Sequence, residues 1–158
     1  MIQVKIKGLI NDPTNAPILL LQEQDGERTL PIWIGLVEAT AIASELEGVS
    51  FSRPMTHDLI INTLAALGWS LIRVEIVDIK NNIFYATIHV NDAGDRLLKL
   101  DSRPSDAIAL ALRAAAPIFV ANHILDGIAL QHHDLDDQEK LRELLERMAP
   151  EDFGKYKM

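Results

Sequence analysis

The chain has 158 residues, 48% of them hydrophobic and 24% charged, and no cysteine. That length and mixture fit one globular domain with a real core, and exclude a disordered chain, a disulfide scaffold and a thiolate metal site. A net charge of −8 with a pI near 5.0 argues against a broad electrostatic footprint for nucleic acid, while leaving room for a small arginine-lined or metal-bearing site that meets phosphates locally.

No apolar run is long enough to span a bilayer, and the first residues alternate instead of building the apolar centre of a signal peptide. A cytoplasmic protein with no membrane partner is the expectation. Residues 2–7 alternate apolar and polar like a half-buried strand. Residues 17–23 and 28–34 flank Gln24-Asp25-Gly26-Glu27 and read as a hairpin with Gly26 in the turn. Pro31 inside the second strand points to a sheet edge or a bulge. A helix is predicted over 37–46, closed by Gly48, and a second over 57–67, closed by Gly68. Strands follow at 70–79, 83–90 and 96–100, with turns at 80–82 and 91–95. A third helix over 106–115 must stop before Pro117, residues 118–120 make a short buried strand, and a helical turn is expected near 122–125. Residues 131–137 form a polar linker containing His132-His133-Asp134. Residues 138–148 form an amphipathic helix with Leu141, Leu144, Leu145 and Met148 on one stripe. The organisation is therefore a body over 1–130 and a C-terminal segment over 131–158.

Shifted by 68 positions, the chain partly matches itself without a gap. Gly26 falls on Gly94, Arg28 on Arg96 and Leu30 on Leu98, and Ala39, Ala41 and Ala43 fall on Ala107, Ala109 and Ala111. Pseudo-repeats over about 1–47 and 69–115 follow. The expected fold is α+β: a mixed or antiparallel sheet with packed helices, built from a duplicated strand-strand-strand-helix unit. No charged side chain lies between Leu59 and Leu71, and only Arg113 is charged between Ala107 and Pro117. Helices this apolar need cover on more than one face, so a homo-oligomer, most simply a homodimer, is expected.

Two segments share one grammar: Ser52-Arg53-Pro54-Met55-Thr56-His57-Asp58 and Asp101-Ser102-Arg103-Pro104-Ser105-Asp106. Each sets an Arg before a Pro, which holds the Arg extended. Each then supplies a hydroxyl that can cap a helix, Thr56 or Ser105, and an acid in the first turn, Asp58 or Asp106. An Arg is thereby aimed beside a helix N-terminus, where free N–H groups favour anions. The plainer reading is a helix start with a local Arg–Asp pair. Under the sharper one, Arg53, His57, Asp58, Asp101, Arg103 and Asp106 converge in one region, with Glu38 joining them.

These motifs resemble the bifunctional nuclease family, once catalogued as a conserved domain of unknown function. The matching residues are Leu30-Pro31-Ile32-Trp33-Ile34-Gly35 with Glu38-Ala39, then 53–59, then 101–111 with Arg113, then Ala116-Pro117-Ile118-Phe119-Val120. The resemblance covers about residues 1–130 and implies nuclease activity on DNA and RNA, with nucleic acid as substrate. It supplies no settled set of catalytic residues.

Phosphodiester hydrolysis needs an activated water, charge neutralisation on phosphate and help for the leaving oxygen. His57, Asp58, Asp101 and Asp106 are the expected catalytic groups, and Arg53, Arg103 and Arg113 the expected phosphate binders. Glu38, Asp58, Asp101 and Asp106 are the acids that could ligate a divalent ion. Its identity is left open, with Mg or Mn the natural choices. Each acid in a first helical turn also stabilises the helix dipole without any catalytic role. His89 and His123 read as structural, and Trp33 and Trp69 as core packing rather than base-stacking platforms. Two function classes stay open: a nuclease with a small acidic-plus-Arg site, and a non-catalytic module that binds an anion or assembles with itself.

Overall fold

The alternation of residues 2–7 belongs to a longer strand than the pattern suggests. In the computed structural model, which describes residues 1–130, 134, 135 and 137–148, β1 spans Ile2–Asn11. A bulge between Ile6 and Gly8 shifts its phase, which is why the alternation is lost while pairing continues to Asn11↔Pro17. The Asp12 carboxylate closes the turn by accepting from the N–H groups of Thr14 and Ala16 and from the Thr14 hydroxyl. β2 (Pro17–Glu23) and β3 (Thr29–Trp33) complete an antiparallel meander that runs into α1 (Leu36–Leu46). After α2 (Thr56–Ala66), a second meander of β4 (Trp69–Lys80), β5 (Ile83–Asp92) and β6 (Leu97–Ser102) runs into α3 (Pro104–Ala114). β7 (Ile118–Val120), α4 (Asn122–Ile128) and α5 (Gln138–Met148) follow.

The strand order is β3-β2-β1-β7-β4-β5-β6. β7 pairs parallel with β4 and antiparallel with β1, so it joins the two meanders into one mixed sheet. The fold is α+β, as the pattern of elements implies. The order of three strands and a helix occurs twice, once on each side of β7. In both β2–β3 and β5–β6 a carboxylate of the incoming strand binds the guanidinium that opens the outgoing one: Glu23 with Arg28, and Asp92 with Arg96. The loops differ by one residue, so the ungapped shift aligns the arginines but not their acids.

The two faces of β2 are both buried. Leu19 and Leu21 belong to the main core with Val74, Ile76, Ile88 and Val90, under Ala39 and Ile42 of α1 and Ala107–Ala111 of α3. Ile18 and Leu20, one residue out of phase, face the other way and pack with Ile10, Trp33 and the α5 leucines 141 and 145. Two-sided burial explains the unbroken apolar run Ile18–Leu21. The predicted C-terminal stripe thus covers the back of the first meander. His132, His133 and the tail lie outside the described residues.

The back of the second meander is polar. Cross-strand register places Phe119, Glu75, Thr87 and Asp101 in one row and Arg73, His89 and Lys99 in the next. Glu75 and His89 are buried. Nε2 of His89 lies 2.9 Å from Glu75 Oε2 without the geometry of a hydrogen bond. Arg73 pairs with Glu75 and sits 5.4 Å above the Phe119 ring. No helix among the described residues is long and apolar enough to cross a membrane.

Candidate active site at three helix starts

Arg103 is extended, with φ −70° and ψ 146°, as a residue before proline should be. Pro104 occupies the first helical position of α3, where its missing N–H costs nothing. Asp106 therefore stands in the first turn with its carboxylate beside the Arg103 side chain. The parallel segment behaves alike: Met55 is extended, and the Asp58 carboxylate accepts its N–H at 2.9 Å. Thr56 and Ser105 do not cap these helices, contrary to the expectation. The helices begin at Thr56 and at Pro104, so both hydroxyls already lie inside the first turn.

One continuous polar chain links the starts of α1, α2 and α3. Glu38 Oε1 lies 2.8 Å from an Arg103 terminal nitrogen, Arg103 Nε donates to Asp106 Oδ2 at 2.7 Å, and Asp106 Oδ1 lies 2.9 Å from His57 Nε2. Glu38 and His57 are buried, while the Arg103 side chain is 56% exposed and reaches solvent at the mouth of the group. Beside it, Arg113 Nε donates to Asp58 Oδ1 at 2.7 Å, and its terminal nitrogens donate to the carbonyls of Ala109 at 2.8 Å and Ala41 at 3.1 Å. A cavity of about 190 Å³ opens next to this pair, lined also by Ser44, Glu45, Val49, Ser50 and Phe51.

The electrostatics follow from these contacts. Burial pushes the Asp106 carboxyl up, but hydrogen bonds with Arg103 and His57 outweigh it and hold it below the ordinary carboxylate range. The Met55 N–H and the Arg113 guanidinium hold Asp58 below that range too. Asp106 in turn pushes the Arg103 guanidinium up. An ionised Asp106 can only accept, so Nε2 of His57 is the donor in this contact.

Of the residues expected to converge, His57, Asp58, Arg103, Asp106 and Glu38 do so, with Arg113. Two do not. Asp101 lies on the opposite face of the sheet, because it shares a row with Thr87 and Glu75 while its neighbour Ser102 pairs with core-facing Ala86. Strand alternation separates it from Asp106. Arg53 is exposed in the loop ahead of α2 and makes no ion pair with the described residues. Arg113 is 7% exposed, and each of its three nitrogens donates one hydrogen bond within the protein, so it clamps the helices together.

The metal ligands expected from the sequence do not assemble. Arg103 stands between Glu38 and Asp106, where an ion bridging those acids would sit, and Asp58 is held by Arg113. Among the described residues no three His, Cys, Asp or Glu side chains gather to hold a metal ion. This donor set does not fit Mg or Mn as it stands.

Sequence reasoning missed Gly35 as part of the site. A Cβ there would collide with the Glu38 carboxylate, so the glycine gives Glu38 its place. It also missed the Ala41 carbonyl, which no side-chain pattern could reveal.

The family pattern described as bifunctional nuclease domain matches residues 19–133. The chain belongs to the bifunctional nuclease domain family. An uncharacterized protein of Mycobacterium tuberculosis (strain H37Rv) is 43% identical over 96% of this chain and 97% of its own length. Bifunctional nuclease 2 of Arabidopsis thaliana is 25% identical over 72% of this chain, and Bifunctional nuclease 1 of Oryza sativa subsp. japonica is 25% identical over 68%. The chain spans about a third of the length of these plant relatives, 36% and 33%. The bifunctional nuclease domain match runs from within β2 to beyond α4. It contains the whole network from Glu38 to Arg113 and leaves out β1 and α5.

Proposed function

We propose that the chain is a nuclease that hydrolyses phosphodiester bonds, with its site at the meeting of the three helix starts. The observation that carries this reading is the His57–Asp106 dyad, with Arg103 on the second oxygen of the same carboxylate. In this mechanism Asp106 holds the tautomer of His57, and Nδ1 takes a proton from water as the water oxygen attacks phosphorus. The imidazolium formed returns that proton to the departing oxygen. Arg103, half exposed, swings from Glu38 to the phosphate and neutralises the charge that builds on it. Family membership and the names of the plant relatives support nucleic acid as the substrate.

The test is cleavage of DNA and RNA by purified protein with and without EDTA, beside Arg103→Ala. The dyad mechanism expects cleavage that survives EDTA and a raised KM in Arg103→Ala. Loss of all cleavage in EDTA overturns it.

The second reading is a non-catalytic module that binds an anion or assembles with itself. It is favoured by the internal ion pairs and hydrogen bonds that already engage Glu38, Asp58, Asp106 and Arg113. Assembly as a homo-oligomer is compatible with either reading. Leu36, Val37 and Leu46 of α1 and Leu59 and Ile60 of α2 are exposed.

A further inference from the structure

The two edges of the sheet are treated differently. At β3, Pro31 offers no N–H, and Thr29 exchanges two backbone hydrogen bonds with Leu130, at 2.9 and 2.7 Å. Nothing among the described residues covers the outer side of β6, which contains no proline. Its side chains Leu97, Leu98 and Leu100 are 67%, 48% and 41% exposed. An uncovered apolar edge strand is a template for another strand.

The register of β6 says which strand fits. The Asp92 N–H donates to the Arg96 carbonyl, and pairing runs unbroken from Asn91↔Leu97 to Ala86↔Ser102. Hydrogen-bonding groups alternate along an antiparallel strand, so the N–H and C=O of Leu98 and Leu100 face β5, and those of Lys99 and Asp101 face outward. Neither the Lys99 nor the Asp101 side chain has a partner among the described residues.

We propose that the chain dimerises through this edge, β6 pairing antiparallel with β6 of a second copy about a two-fold axis perpendicular to the sheet. Such an axis maps each face of the sheet onto itself, so a residue stands opposite one on its own face. Registers centred on Leu98, Lys99, Leu100 and Asp101 satisfy this, and the first sets Lys99 opposite Leu97 and forms no ion pair. The second sets Lys99 opposite Lys99, and the fourth sets Asp101 opposite Asp101, and like charges directly opposite are unfavourable. The third centres on Leu100 opposite Leu100. It sets Lys99 of each copy opposite Asp101 of the other, giving two ion pairs on the polar face and a leucine contact on the helix face. The outward N–H and C=O groups of Lys99 and Asp101 then meet each other directly. The acid expected at the catalytic centre acts here as half of a self-complementary pair.

The experiment uses the full chain, which has no cysteine of its own. In Leu100→Cys the two thiols face each other across a non-hydrogen-bonded pair, with Cα atoms about 4.5 Å apart, within disulfide range. Mild oxidation is expected to give a disulfide-linked dimer in Leu100→Cys, and not in Ile83→Cys, which is exposed on the far hairpin. Sedimentation at micromolar concentration should give twice the 17.6 kDa chain mass for the unmodified protein. Lys99→Glu and Asp101→Lys should each weaken the dimer by tenfold or more, and combining them should restore it, because the double swap re-forms both ion pairs. Thermal melts of the single variants show whether they are folded, and a weakened dimer counts only for a folded variant. A monomer throughout overturns the proposal. So does a dimer that Leu100→Cys fails to cross-link or that neither charge reversal weakens.

Discussion

His57 and Asp106 stand 49 residues apart in the chain, yet His57 Nε2 lies 2.9 Å from Asp106 Oδ1. The contact joins the first turn of α2 to the first turn of α3. Arg103 then extends it to Glu38 in the first turn of α1. Three helix starts, each carrying an acid that its dipole welcomes, are held together by guanidinium groups between them.

Arg113 is the clamp of this arrangement. Arg113→Ala removes one charge-assisted bond to Asp58 and two to backbone carbonyls at a site 7% exposed. The expected loss is about 2–4 kcal/mol of unfolding free energy. Arg113→Lys should recover little of it, because an ammonium cannot serve three directions from one plane. Urea denaturation of the three proteins measures this, and full recovery by lysine would show that charge alone matters.

Gly35→Ala should disturb the site without touching a charge. The added Cβ collides with the Glu38 carboxylate and displaces it from Arg103. The expected cost is about 1 kcal/mol. An unchanged melting temperature together with an intact Glu38–Arg103 pair in a crystal structure would count against this account of the glycine.

Acid should loosen the network. Asp58 and Asp106 both titrate below the 3.8 of a free carboxyl when folded, so the unfolded chain binds protons first as pH falls. Their contribution is complete above that value and is lost as pH drops through the folded values. Denaturation midpoints between pH 6 and pH 2.5 should fall below about pH 4, and less steeply in Asp106→Asn. Equal slopes in the two proteins would assign the acid sensitivity elsewhere.

The C-terminal helix closes the second small core. Leu145→Ala empties a position 3% exposed against Ile18 and Leu20 and should cost about 2–4 kcal/mol. A change below 0.5 kcal/mol would mean that α5 docks without contributing to stability.

Much of this was legible in the residues. Pro31 announced an edge strand, and Gly48 and Gly68, both at positive φ, announced the ends of α1 and α2. The Arg-Pro corners announced Arg103 with Asp106, and the family resemblance drew in Glu38 and Arg113. Long-range partners were harder. Nothing local tells Asp58 to pair with Arg113 instead of Arg53, because that choice depends on how α2 crosses α3. Asp101 was misplaced because its segment was read as one corner. A strand turns successive side chains to opposite faces, and a single step from Asp101 to Ser102 sends the acid to the far side of the sheet. The bulges in β1 and β4 likewise change phase in a way that composition does not mark.

The most direct measurement is the cleavage rate per folded molecule for the unmodified protein, His57→Ala and Asp106→Asn, on single-stranded DNA and RNA. Folded fractions come from thermal melts of the same samples. A dyad acting as general base should make His57→Ala slower by about a hundredfold or more. Asp106→Asn should fall with it, since the amide can no longer hold the imidazole in its basic form. Cleavage by both variants at the unmodified rate, or no cleavage by the unmodified protein, would contradict a catalytic His57–Asp106 pair.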